Sequence, residues 1–192
     1  MSATIKELFV TCVSTSKLNL DNQEGIDYIM SLKHKSNSLN FSNVGGWHSS
    51  FLSIEENKFF KKLFNLTGIE VHRFIKNFHY KKSLSLLNFW AIVNSYKDFN
   101  LPHSHPSSTI SGVYYLKVPS DGGNIVFNNP DTNMAWSIQD EHCNEYNEYN
   151  SKVNVIDIED NLLLLFPSHL SHYVLPNLNK KEDRIIISFN YS

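Results

Sequence analysis

The spacing of apolar residues changes near Tyr80, and no other feature restricts the fold as much. Up to that point they recur three and four apart. Ile26, Ile29 and Met30 make one such set, Ile54, Phe60, Leu63 and Phe64 a second, and Val71, Phe74, Ile75 and Phe78 a third. That is the period of a helix with one buried face. Capping-box spacings at Asp21 to Glu24 and at Ser53 to Glu56 stand where the helices would begin. Gly68 is a candidate interruption in the second helical stretch, which predicts helix to about Phe78. A short strand over Leu8 to Val13 and a polar loop over 37–50, holding Gly45-Gly46-Trp47, complete this half.

Beyond Tyr80 the apolar runs are short, rich in β-branched and aromatic residues, and bounded by turn formers. Leu86 to Tyr96, Ile110 to Val118, Asn124 to Phe127, Val153 to Ile158, Leu162 to Phe166, Leu170 to Leu175 and Arg184 to Asn190 each predict a strand. Asp121-Gly122-Gly123 predicts a hairpin returning along Asn124 to Phe127. Residues 128–152 are polar, carry Asn-Glu-Tyr twice, and predict a surface insertion near the mouth of a site. Helices followed by short strands predict an α+β fold. A helical support (1–80) would pack on a closed or sandwiched antiparallel sheet (81–192), in one domain spanning 1–192.

Composition removes several function classes. The 192 residues carry a net charge of −2, which gives no electrostatic reason to bind nucleic acid. The longest apolar stretch, Leu162 to Pro167, is too short to span a bilayer. The first residues lack the pattern of a signal peptide, and Cys12 and Cys143 are too few for a disulfide framework. Free thiols in a cytoplasmic protein are the expectation.

Nine histidines are many for this length, and three have an informative arrangement. His103 and His105 flank Ser104, so on an extended backbone both rings point the same way. Pro106 fixes the chain directly after them. His172 lies on a later strand. His169, three residues before it, would face the opposite side and is expected at the rim. Imidazole suits Fe, Zn, Cu and Ni, and a facial set with open positions is the arrangement of non-haem iron oxygenases. His34, His48, His72, His79 and His142 carry no spacing signal and are expected to be structural or exposed.

In the last predicted strand, Arg184, Ile186, Ser188 and Asn190 share one face and Ile185, Ile187 and Phe189 the other. An inward face bearing Arg, Ser and Asn needs a polar occupant, and guanidinium is the natural bidentate partner of a carboxylate. Tyr115, ten residues beyond His105, could share that carboxylate or be an ordinary core aromatic; Tyr114 must face away. Ser188 and Asn94 are candidates for the same interior, and Trp47 for either a substrate entrance or the core.

In this order the landmarks resemble the 2-oxoglutarate- and Fe(II)-dependent oxygenases, specifically their prolyl-hydroxylase-like branch. They are similar above all to a group of small 2-oxoglutarate oxygenases of bacteria and phages. The landmarks are Ser42-Asn-Val-Gly-Gly-Trp47, His103-Ser-His105-Pro, Ser111-Gly-Val-Tyr-Tyr-Leu116, Phe166-Pro-Ser, His172, Pro176-Asn177 and Arg184-Ile-Ile-Ile-Ser-Phe-Asn190. The resemblance implies a double-stranded β-helix, a jelly-roll or cupin-like barrel. It implies Fe(II) on His103, His105 and His172, and 2-oxoglutarate as co-substrate, its far carboxylate held by Arg184 and Tyr115. Oxidative decarboxylation to succinate and CO2 would then hydroxylate a small-molecule or protein substrate. The family pattern has Asp or Glu where this chain has His105. If His105 binds, the site is a three-His variant whose metal charge the dianionic co-substrate balances; if not, His103 and His172 bind alone with water at the third position. Two rivals share the histidines: a three-His cupin-type dioxygenase that uses no 2-oxoglutarate, and a non-catalytic, metal-stabilised binding module.

Overall fold

The change of period near Tyr80 is a structural boundary in the computed structural model, which describes residues 3–133 and 143–192. Ahead of it lie helices α1 (Gln23–Lys35) and α2 (Lys58–Ile75). α2 buries Phe59, Phe60, Leu63, Phe64, Val71 and Phe74, and Gly68 does not interrupt it. A 3-10 turn then reaches Phe78. The Ser53–Glu56 capping box forms, but it opens a 3-10 turn; Asn57 caps α2 itself by accepting from Phe59 N–H. The Asp21–Glu24 box does not form. α1 starts after Asn22, whose side chain turns inward instead, donating to Leu116 O and accepting from Tyr114 Oη.

Eleven strands are present among the described residues: β1 (Ser14–Lys17), β2 (Asn43–Val44), β3 (Trp47–His48), β4 (Leu86–Asn94), β5 (Phe99–His103), β6 (Ile110–Lys117), β7 (Ile125–Asn128), β8 (Val153–Ile156), β9 (Leu162–Pro167), β10 (His172–Val174) and β11 (Arg184–Tyr191). They form two antiparallel sheets, ordered β1-β9-β6-β11-β4-β3 and β2-β5-β10-β7-β8. The architecture is the α+β jelly-roll that was expected, as a sandwich rather than a closed barrel. The first eighty residues are more than a helical support, since β1 and β3 form the edges of the larger sheet and β2 an edge of the smaller.

Two local expectations need correction. Leu8, Phe9 and Val10 are exposed, and the first strand is the polar Ser14–Lys17, which pairs with β9. Pairing there rests on main-chain bonds along an edge, which apolar content does not report. Asp121-Gly122-Gly123 turns no hairpin, because β6 pairs with β9 and β11 while β7 pairs with β8 and β10. The turn carries the chain from one sheet to the other, and at Gly123 (φ +83°) a Cβ would meet the carbonyl oxygens of Leu175 and Pro176. The 128–152 segment is the loop of the β7–β8 hairpin, tied at its base by Asn129 N–H to Lys152 O. Its residues 134–142, His142 among them, lie outside the described residues.

β11 runs between β4 and β6 and sorts their side chains into two sets. Ile185, Ile187 and Phe189 join Phe89, Ala91, Val93 and Tyr114 in a core shared with the helices. Phe189 meets Phe64 of α2 edge-on, their ring centroids 5.7 Å apart. Ile186 joins Ile92, Val113, Tyr115 and Phe166 in a second cluster between the sheets. The space left there is a cavity of about 700 Å³.

Candidate metal and co-substrate site

The cavity is organised around three imidazoles. His103 ends β5 and His172 begins β10, and the two are direct partners across the antiparallel pair. Side chains at such positions share a face. His105 follows two residues beyond His103, held by its own N–H to Ser168 O. The three rings present nitrogen atoms that all lie within 4.8 Å of one another. Each Nδ1 is committed: His103 to Leu101 O at 2.7 Å, His172 to Leu170 O at 2.9 Å, and His105 to Asn190 Oδ1 at 2.7 Å. Carbonyl acceptors require Nδ1–H, so every Nε2 keeps its lone pair. The Asn190 oxygen is assigned by its network, since its amide nitrogen donates to Asn88 Oδ1 and its oxygen also accepts from Ser111 Oγ. Burial lowers all three histidine pKa values, that of His105 to about 4 and that of His172 to about 3. Neighbouring His103 lowers His172 further. The cluster is therefore three neutral ligands near pH 7, which is the state a metal requires.

The other pole of the interior is Arg184, fully buried at the start of β11 opposite Asn94. Its Nη1 donates to the carbonyl oxygens of Gly122, Gly123 and Leu175, and its Nη2 donates to Asn94 Oδ1 at 3.1 Å. No carboxylate among the described residues forms an ion pair with it. Burial lowers its pKa to about 10, against the opposing pull of Tyr115 and Asp98, so it remains a cation. Tyr115 is buried with its phenol pKa raised by desolvation, partly offset by Arg184. Arg184 Nε, Asn94 Nδ2 and Tyr115 Oη are all buried without a hydrogen-bond partner among the described residues. A buried cation beside unmatched donors is costly unless an anion completes it. Ser188 lies between Arg184 and Asn190 on the same face of β11 and lines the cavity.

A family model described as "Putative 2OG-Fe(II) oxygenase" matches residues 88–190, more than half of the chain. The chain belongs to this oxygenase family. Among solved structures, a Pseudomonas putida prolyl-4-hydroxylase aligns with a TM-score of 0.63 at 12% identity, over 94% of this chain and 92% of its own. SnoN, a non-heme alpha-ketoglutarate-dependent epimerase from nogalamycin biosynthesis, aligns with a TM-score of 0.70 at 11% identity, over 95% and 78%. An oxidoreductase of the 2OG-Fe(II) oxygenase family from Burkholderia pseudomallei aligns with a TM-score of 0.51 at 16% identity, over 69% of this chain and 55% of its own. This chain thus spans about half the length of that relative. No curated protein matches. At these identities the structures support the fold, while the family match brings Fe(II) and 2-oxoglutarate as metal and co-substrate. The donor set fits both groups: three neutral imidazole nitrogens suit the metal, and the unmatched donors around Arg184 suit a carboxylate.

Some side chains at the cavity carried no sequence signal. Asn190, read only as one polar residue of a strand face, holds the His105 ring. His48 is buried and lines the cavity, stacked on Trp90, although a two-residue strand has no periodicity to reveal it. Its neighbour Trp47 faces the other way, into the helix-side core, donating to Ser36 O. His169 is exposed. Cys12 and Cys143 are free thiols. No helix of the described residues is long and apolar enough to cross a membrane.

Proposed function

We propose that the protein is an Fe(II)- and 2-oxoglutarate-dependent dioxygenase that hydroxylates its substrate with release of succinate and CO2. The observation that carries this reading is Arg184, a buried cation with no carboxylate partner among the described residues, on the same face of β11 as Ser188 and Asn190, which line the cavity of the three neutral imidazoles. His103, His105 and His172 would hold the metal through Nε2. Arg184, Tyr115 and Asn94 would bind the far carboxylate of 2-oxoglutarate, with Ser188 alongside. When bound, the metal and its co-substrate supply oxidative chemistry with O2. The chain's own part is positional. Leu101 O, Leu170 O and Asn190 fix the three rings and their tautomers, Arg184 sets the direction of the co-substrate, and the apolar walls exclude water.

A three-His dioxygenase without an oxo-acid would use the same histidines but would leave Arg184, Tyr115 and Asn94 without a role. A metal-stabilised binding module would leave them without one as well. The test is succinate formation from 2-oxoglutarate by the Fe(II)-loaded protein, measured with and without candidate substrates. Succinate, even uncoupled from hydroxylation, is the expected result. Tight Fe(II) binding with neither succinate nor a visible metal-to-ligand charge-transfer band on adding 2-oxoglutarate would overturn the reading.

A further inference from the structure

The cavity lining stops short of Arg184, and its outer half differs from the part formed by Tyr115 and Ser188. Phe41 and Phe51 stand exposed at the surface. From them a series of rings leads inward. Phe41 lies 4.9 Å from His48 and Phe51 lies 6.0 Å from Trp90, between ring centroids. His48 and Trp90 stack at 5.7 Å with 14° between their planes, and Trp90 lies 5.7 Å from His105. The aromatic wall therefore ends beside the metal cluster. No Asp, Glu, Lys or Arg among the described residues lines the cavity. A charged group entering it would lose its hydration with nothing of opposite sign to replace it, apart from the metal and Arg184.

Two buried polar atoms of residues lining the cavity also lack a partner among the described residues, namely Trp90 Nε1, a donor, and Asn100 Oδ1, an acceptor. The Asn100 amide nitrogen is occupied with Ser42 Oγ, next to Phe41 in the chain. One unmatched donor and one unmatched acceptor suit a neutral group that can both accept and donate. A ring held by the aromatic wall gains stacking and edge contacts beyond its area alone.

We infer that the outer half of the cavity binds an uncharged small molecule carrying a planar ring and a hydroxyl or amide group, as the primary substrate of the oxygenase. The inference rests on the proposed function for the word substrate, while the binding claim stands on the cavity. The whole cavity, about 700 Å³, is in the range of pockets that enclose a drug-sized ligand, and the metal and co-substrate share it, so the outer half suits a molecule of one ring and a few further atoms.

The test is a calorimetric titration of the full chain, loaded with Fe(II) under anaerobic conditions, with benzyl alcohol, benzoate and benzylamine. These share one ring and differ in charge. Titration with 2-oxoglutarate alone is run first, and its failure to bind would sink the proposed function without touching the ring series. Benzoate is also titrated against Arg184→Gln, so that an anion captured beside Arg184 is not counted in the outer half. Benzyl alcohol is expected to bind at least about tenfold more tightly than either charged probe, and Phe51→Ala is expected to weaken it several-fold. Equal or tighter binding of a charged probe would overturn the inference, and so would no binding of benzyl alcohol at millimolar concentration. Binding of N-acetyl-phenylalaninamide without binding of benzyl alcohol would replace the small molecule with a peptide and overturn it equally.

Discussion

Tyr114 and Tyr115 are neighbours in one strand with opposite circumstances. Tyr114 points to the helix side, where its hydroxyl lies 2.8 Å from Asn22 Oδ1 and 2.6 Å from Asn161 Oδ1. Tyr115 points between the sheets, where its hydroxyl is buried and has no partner. The same contrast holds for the two faces of the larger sheet. The helix side is built from packed apolar rings. All five side-chain polar atoms that are buried without a partner among the described residues belong to side chains facing the interior between the sheets or bordering its cavity. Folding normally satisfies such groups, so a cluster of exceptions marks a place built for something other than the chain itself. The helix side holds the structure together, and the cavity side is left incomplete for ligands.

The contrast breaks if a change on the helix side acts on ligands. Phe189 is fully buried against Phe64 and Tyr191. Phe189→Ala is expected to cost about 3–5 kcal/mol of stability, read by urea denaturation. Fe(II) affinity of the protein that remains folded should not change, although Asn190 is the next residue. A parallel fall in affinity would show that the two faces are not separable.

Arg184→Gln applies the opposite test. It is expected to weaken 2-oxoglutarate binding by about 2–5 kcal/mol and to leave Fe(II) binding intact, both read by calorimetry. Equal loss of the two would make Arg184 a structural residue that secures the Gly122–Gly123 turn rather than a co-substrate anchor.

Asn190→Ala releases the His105 ring without removing a ligand. Loss of a ligand's own hydrogen-bond partner typically costs about 10–100-fold in metal affinity, and a fall in that range is expected in an Fe(II) titration. Asn190→Asp keeps an oxygen acceptor at Nδ1 and should restore much of it. If neither substitution changes the affinity, His105 does not bind and the site reduces to His103 and His172.

What could be read from the sequence follows the same division. The alternation of Arg184, Ile186, Ser188 and Asn190 is a property of any extended chain, so the facing of β11 was legible before its partners were known. The spacing of His103 and His105 was legible for the same reason. Pairing was not. Asp121-Gly122-Gly123 announces a reversal, but a turn signal does not say which sheet the next strand joins. β5 was hidden by Pro102, which reads as a turn although a proline is tolerated near a strand end. His48 was invisible because its strand is two residues long. The Asp21 box failed because α1 begins one residue later than the box requires, with Asn22 at the cap position and Asp21 Oδ1 accepting from Gln23 N–H instead.

The smallest expected effects return to the two tyrosines and sharpen the contrast most. Tyr114→Phe removes a hydroxyl that has partners and strands Asn oxygens in a buried place, so it should cost about 1 kcal/mol or more. Tyr115→Phe breaks no bond within the protein and relieves a buried, unmatched hydroxyl, so urea denaturation without ligand should show stability unchanged or slightly higher. If Tyr115 holds the co-substrate as proposed, the same substitution removes one donor from its carboxylate, where a hydrogen bond to a charged group contributes about 1.5–3 kcal/mol. Saturation with 2-oxoglutarate stabilises whatever binds it, so the wild type should gain more from added co-substrate than Tyr115→Phe does, and Tyr114→Phe should gain as much as the wild type. If Tyr115→Phe lowers stability in the absence of ligand, the hydroxyl serves the fold, and the cavity side is less incomplete than its unmatched atoms suggest.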